Sequence, residues 1–234
     1  MREHPILFSG PMVQAILAGR KTQTRRPVTR LRGFGKVTDF RPAETNGYDW
    51  AFRDRRGCWN EVDEARVRQQ YCPFGVAGEQ LWVRETFKDV ASGSIKDGRG
   101  EIRYGTAYQS DGATIWKPTP TIVHDLRGFD TKPMQFEHRP WRPSIHMPRR
   151  ASRISLEVES VRIEQLHSIS GEDAEAEGID GPTCAALSTS TPWRNQLAPA
   201  AVHAFAALWE SVNGVGAWLA NPWVWVITFR RATP

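Results

Sequence analysis

The chain has 234 residues, 40% of them apolar and 24% charged, which excludes an intrinsically disordered chain and gives more sequence than one small barrel needs. No run reaches the roughly 20 apolar residues of a membrane helix, and no apolar leader with a small-residue cleavage site opens the chain, so a cytoplasmic protein with no membrane partner is expected. The formal net charge of +5 and the pI of about 9.4 suit a nucleotide or nucleic-acid partner. Cys58, Cys72 and Cys184 are odd in number and fit no zinc-ribbon spacing, which points to a reducing compartment and no disulfide framework. The ten tryptophans are expected mostly in the core, with a minority free to stack on a base.

Residues 5–8 make a short apolar start. Pro11 suits the first turn of a helix, Met12, Ala15, Ile16 and Ala18 form its apolar stripe, and Gly19 is a natural stop. Lys21 therefore emerges at a helix end. Thr22 to Arg26 is expected to run extended, with Thr22, Thr24 and Arg26 on one face. Residues 28–70 are polar and weakly periodic, with a hairpin expected around 47–60. Residues 72–75 read as a loop. Leu81, Val83 and Glu85 then alternate with Trp82, Arg84 and Thr86, as a strand requires.

Residues 88–140 are punctuated by Gly and Pro and read as short hairpins, Ile102–Tyr108 among them. Pro143 and Pro148 frame a loop. Alternating segments at 152–158 and 160–166 predict one strand continued past a bulge. Ser170 and Asp173 have capping-box spacing at the start of a short acidic helix that stops at Gly178. Residues 181–199 read as a linker. Val202, Phe205, Ala206, Trp209 and Val212 give Ala200–Val212 an amphipathic stripe. Asn221–Phe229 is apolar on both faces, hence a central strand. The fold class expected is α+β.

The segment that could carry chemistry is Gly19–Arg26. A lysine three residues before a threonine can lower the cost of deprotonating the hydroxyl. The neighbouring guanidinium groups can hold an anion or a polarised carbonyl. On spacing alone, a solvated basic turn accounts for the same residues. A second basic cluster, His138, Arg139, Arg142, His146, Arg149, Arg150 and Arg153, is interleaved with Trp141, the company a phosphate-bearing base would meet; a solvated basic face accounts for it equally well. Ser144 and His146 resemble a nucleophile and a base with no visible third partner, so they read as structural or base-contacting. No H-x-E…P-C-x-x-C pattern occurs, which disfavours a zinc cytidine deaminase.

The pattern Gly19-x-Lys21-x-x-Thr24-x-Arg26 resembles the signature of the ASCH domain family, G-x-K-x-x-E-x-R. Gly78-Glu79-x-Leu81-x-Val83-Arg84-Glu85 resembles that family's second barrel strand. The PSIHMPRRASR and NPWVWVITF stretches resemble uncharacterised family members of phages and prophages. The resemblance implies a PUA-like mixed β-barrel flanked by short helices, one domain over 1–234 with insertions at 28–72 and 88–140. Thr24 stands where many members have glutamate. That departure resembles the subgroup of N4-acetylcytidine amidohydrolases, whose implied catalytic set is a lysine, a threonine and a glutamate in a short helix after the barrel strands.

Carried over, that set is Lys21, Thr24 and Glu177, with Glu175 the nearest rival. Helix-dipole interactions alone would also explain acids at this helix. The implied reaction is hydrolysis of an N4-acylated cytosine nucleoside, with no metal and no cofactor. Arg20, Arg26, Trp82, Glu85, Trp141, Ser144 and His146 are the candidate substrate-binding residues. The partner expected is a modified cytidine nucleoside, or RNA or DNA. A non-catalytic nucleic-acid or modified-nucleotide module, or a ribonuclease, are the alternatives the same family implies.

Overall fold

The computed structural model describes residues 2–96, 99–124, 140–180 and 199–232. In chain order its elements are β1 (Glu3–Leu7), α1 (Gly10–Leu17), β2 (Gln23–Pro27), β3 (Arg30–Leu31), β4 (Gly35–Lys36), β5 (Asp39–Pro42), β6 (Trp50–Arg53), β7 (Trp59–Val62) and α2 (Glu64–Arg66). They continue with β8 (Gln80–Arg84), β9 (Phe87–Lys96), β10 (Arg99–Tyr108), β11 (Thr114–Trp116), β12 (Thr121–Val123), β13 (Ser155–Gln165), α3 (Gly171–Ala176), α4 (Ala200–Asn213) and β14 (Trp223–Arg231). The fold is mixed α+β, rich in strands with few helices. The chain divides into two compact units: the described residues of 1–5, 15–82 and 154–234 form the first, and those of 6–14 and 83–153 the second.

A strand apolar on both faces must be paired on both sides and covered on both faces. β14 meets that demand: Val224, Trp225, Val226 and Ile227 are fully buried, with β13 on one side and β2 on the other. Fully burying each such side chain contributes roughly 1.5–3 kcal/mol. The five-stranded sheet has the order β1-β8-β13-β14-β2, so β1 and β2 are its edges among the described residues. The two alternating segments at 152–166 are one strand, β13, whose register against β14 shifts between Val158 and Ser160, which is the expected bulge.

In the first unit, α3 and α4 cover Val224 and Val226 through Ala174, Ala201, Val202, Phe205 and Trp209. The predicted stripe of α4 holds as far as Trp209. Val212 is 55% exposed, a correction: the last helical turn runs past the core and ends at Gly214. The hairpin expected around 47–60 is β6 with β7, joined by β5 into a three-stranded sheet. Phe40 stacks on Trp50, and Trp50 meets Trp223 edge-on.

The second unit corrects the expectation of short hairpins over 88–140. β9 and β10 pair from Phe87↔Tyr108 to Lys96↔Arg99, one long ladder flanked by β11 and β12. Glycine reads as a breaker in sequence, but within a ladder it also marks close backbone approach. At Gly105 an added Cβ would come within 2.8 Å of the Ile115 carbonyl oxygen. The unit's small core is Phe87, Tyr108, Met147 and Ala151. Residues 181–198 of the expected linker at 181–199, Cys184 among them, lie outside the described residues, as do His138 and Arg139.

Candidate functional site

The first unit contains a buried charge cluster built from β2, β13 and α3. Helix α1 ends as its sequence demands, with Gly19 in the left-handed region at φ 74°, which only glycine adopts freely. The chain then turns so that Lys21 forms an isolated antiparallel bridge with Glu177. The Thr22 amide donates to the Ala176 carbonyl at 2.9 Å, closing the start of the sheet's edge strand against the end of α3. That approach needs Gly178, whose added Cβ would lie 3.0 Å from the Ala15 Cβ and 3.2 Å from the Lys21 Cβ.

Lys21 is 2% exposed and Glu177 4%. Lys21 Nζ donates to Glu177 Oε2 at 2.7 Å, to the Glu177 carbonyl at 2.8 Å and to the Gln23 carbonyl at 2.9 Å. An ammonium has three donors, so each is engaged. Burial pulls the Lys21 amine below the ordinary lysine range; Glu177 opposes that fall, while Arg26 and Arg25 add to it. Burial likewise lowers Arg26, again against the pull of Glu177.

Glu177 has one oxygen to spare. Its Oε1 accepts no hydrogen bond among the described residues, although Arg25 Nη1 lies 3.6 Å away. A buried acceptor left open costs free energy unless something reaches it. Glu175 is the rival by alignment; it is Glu177, the C-cap of α3, that meets Lys21.

Alternation along β2 puts Thr24 and Arg26 on one face and Gln23 and Arg25 on the other. Arg25 is buried and its Nη2 donates to Asp173 Oδ2 at 2.9 Å and Glu164 Oε2 at 3.3 Å. Gln23 Nε2 donates to Asp173 Oδ1 at 3.0 Å, and Arg162 reaches the same oxygen at 3.2 Å. Burial pushes the Asp173 carboxyl up, but the Gln23 hydrogen bond and the Arg25 charge outweigh it and hold it below the ordinary aspartate value. Asp173 also completes the capping box with Ser170. One residue thus fixes both the start of α3 and the guanidinium beside Glu177.

Thr24 is 2% exposed and lies opposite Ile227 on β14. Its hydroxyl makes no hydrogen bond among the described residues, so neither Lys21 nor Glu177 holds it in this conformation. Lys21, Thr24 and Glu177 all lie below the surface.

The candidate binding residues scatter. Arg20 is tied to Asp180 at 2.7 Å. Trp82 is half-buried on β8 opposite Ser155. Arg26 lies on β2 of the same unit, and Glu85, Trp141, Ser144 and His146 belong to the second unit. Ser144 begins a short 3-10 turn that His146 ends, and both His146 and Trp141 are exposed. Glu85 is buried and already engaged. Arg153 donates to its Oε1 at 2.9 Å and its Oε2 at 3.0 Å, and Ser110 donates to Oε2 at 2.5 Å. Asp111 takes the remaining reach of Arg153 at 2.8 Å. Burial lowers Arg153, but Glu85 and Asp111 more than reverse it. Glu85 and Ser110 also line a cavity of roughly 310 Å³ with Gln14 and Gln109.

Sequence reasoning singled out neither Glu164 nor Asp173 as part of a site. The available signal was that Arg25, opposite in phase to Thr24, required a buried carboxylate partner. Among the described residues no cluster of His, Cys, Asp or Glu is arranged to hold a metal, and no helix is long and apolar enough to cross a membrane. Burial pushes the Cys72 thiol up to about 12, which leaves it inert as a nucleophile. Comparison with family models, curated proteins and solved structures returned no match.

Proposed function

We propose that this chain hydrolyses the amide of N4-acylated cytosine nucleosides, N4-acetylcytidine above all, on a PUA-like scaffold of the ASCH type. One observation carries the reading: Lys21 Nζ lies 2.7 Å from Glu177 Oε2 in a buried setting, with Glu177 Oε1 left open. Those two residues were paired by the motif resemblance across 156 positions of sequence, and a solvated basic turn does not bury its lysine.

In the mechanism, Thr24 Oγ attacks the acetyl carbonyl carbon while neutral Lys21 takes its proton. The lowered pKa of Lys21 raises the neutral fraction. The C–N bond breaks as the proton passes through Glu177 to the departing N4, releasing cytidine and leaving acetyl-threonine. Water then attacks the ester, giving acetate and free Thr24. Arg26, on the Thr24 face of β2, stabilises the oxyanion.

A structural tie is the second reading, favoured by the engagement of all three Lys21 donors. Under it the pair closes the sheet edge against α3 and does no chemistry. Chromatography of N4-acetylcytidine incubated with the protein separates the two. Cytidine released by the wild type and lost in folded Thr24→Val supports hydrolysis. No release by folded wild type across pH 6–9 leaves the structural tie.

A further inference from the structure

The second unit carries a cleft of roughly 370 Å³ that lies wholly between its own strands and the loop after residue 140. Among the described residues its charged lining is Lys117, Arg142 and Arg150 against the carboxylate of Asp89. Arg142 Nη1 lies 3.4 Å from Asp89 Oδ2 in an exposed ion pair that leaves the rest of its guanidinium open to solvent. Lys117 and Arg150 are exposed. The Lys117 amide donates to the Tyr104 carbonyl at 2.8 Å, which sets the lysine beside Tyr104 at the cleft. Tyr104 is 43% exposed and lines the same space. On the same unit Trp116 and Trp141 are exposed as well, and Lys88 sits 4.8 Å over the Trp141 ring.

Exposed rings of this size cost free energy in water unless something covers them. A small anion would satisfy the cations and leave the rings wet. A folded acidic protein surface would meet the cations but offers few flat faces to stack. A duplex hides its bases. Unpaired bases on a phosphodiester backbone satisfy both kinds of group at once, because phosphates meet cations while bases stack on aromatic faces.

We propose that this cleft is a binding site for single-stranded nucleic acid, with Lys117, Arg142 and Arg150 on successive phosphates and Tyr104 stacking on a base. The site is separate from the Lys21–Glu177 cluster and stands whether or not that cluster is catalytic, since its readout is binding without turnover.

The test is fluorescence anisotropy of a labelled single-stranded oligonucleotide titrated with the full chain at several salt concentrations, with RNA, DNA and duplex arms. Neutralising about three phosphates gives a log–log salt slope near −2, and Lys117→Gln or Arg150→Gln should each flatten it by about 0.7. Tyr104→Ala should weaken binding by roughly 5- to 100-fold with the slope unchanged. Circular dichroism establishes that each variant is folded. RNA and DNA bound alike support the site as stated; a preference for RNA supports it and adds a 2′-hydroxyl contact. No salt-dependent binding, duplex bound more tightly than single strand, or full affinity retained in a folded Lys117→Gln/Arg150→Gln/Tyr104→Ala variant would overturn it. So would inorganic polyphosphate bound as tightly as the oligonucleotide.

Discussion

Among the described residues each unit buries one glutamate beside an arginine, and the two differ in what is left over. Around Glu85 the accounting closes. Arg153 donates to both oxygens, Ser110 adds a third bond, and Asp111 absorbs the rest of the guanidinium. Around Glu177 it stays open. One oxygen takes Lys21, and the other has only Arg25 at 3.6 Å and no hydrogen bond. A saturated buried carboxylate is what structure requires. A buried carboxylate with spare capacity beside a lysine of lowered pKa is what acid–base chemistry requires. Burial and charge are common to both clusters; the open oxygen of Glu177 is what sets the two apart.

Removing the lysine or the hydroxyl should break that comparison most severely. Lys21→Met and Thr24→Val are expected to lower cytidine release by roughly 10²- to 10⁴-fold, read by product chromatography on folded protein. Wild-type turnover should rise with pH along a limb that lies below the ordinary lysine value of 10.5, because burial favours the neutral amine. A rising limb at or above that value would show that Lys21 is not the base.

Glu85→Ala should cost stability of about 2–3 kcal/mol, because it leaves the half-buried Arg153 with only Asp111 and Ser110 as partners. Denaturant midpoints check this, and a change within error would remove the structural reading of that cluster. Ser170→Ala should cost about 1 kcal/mol through loss of the α3 cap, measured in the same way.

The acid limb of stability gives a smaller effect that sharpens the comparison. Asp173 is held below its ordinary value of 3.8 in the folded state. Its contribution is therefore fully present above that value and is lost as pH falls through the lower, folded one. Asp173→Asn should flatten the acid unfolding curve in that window. Equal acid sensitivity in wild type and variant would show that the carboxylate contributes nothing there.

Elements with a strong local signal were legible in the sequence. Gly19 ended α1, the alternation at 152–166 gave one bulged strand, and the two-sided apolar run gave a central β14. The long β9–β10 ladder was not, because its glycines look like breaks until a pairing partner is in view. Within the site, Lys21 and Thr24 stood out by spacing. Glu177 was reachable only through a family resemblance, since nothing local in GEDAEAEG distinguishes one acid from its neighbours. The Arg25–Asp173–Glu164 ties and the closure of Arg153 on Glu85 were hidden for the same reason: ion pairs between distant segments leave no periodicity.

The proposed mechanism stands on Thr24 forming a covalent acyl intermediate. Rapid quenching of the protein with N4-acetylcytidine, followed by peptide mass spectrometry, tests it directly. A transient acetyl group is expected on the peptide carrying Thr24, on the threonine itself, and is expected to be absent from Thr24→Val. Cytidine released without acetyl on Thr24 at any time, or acetyl found on Ser110 instead, would contradict it.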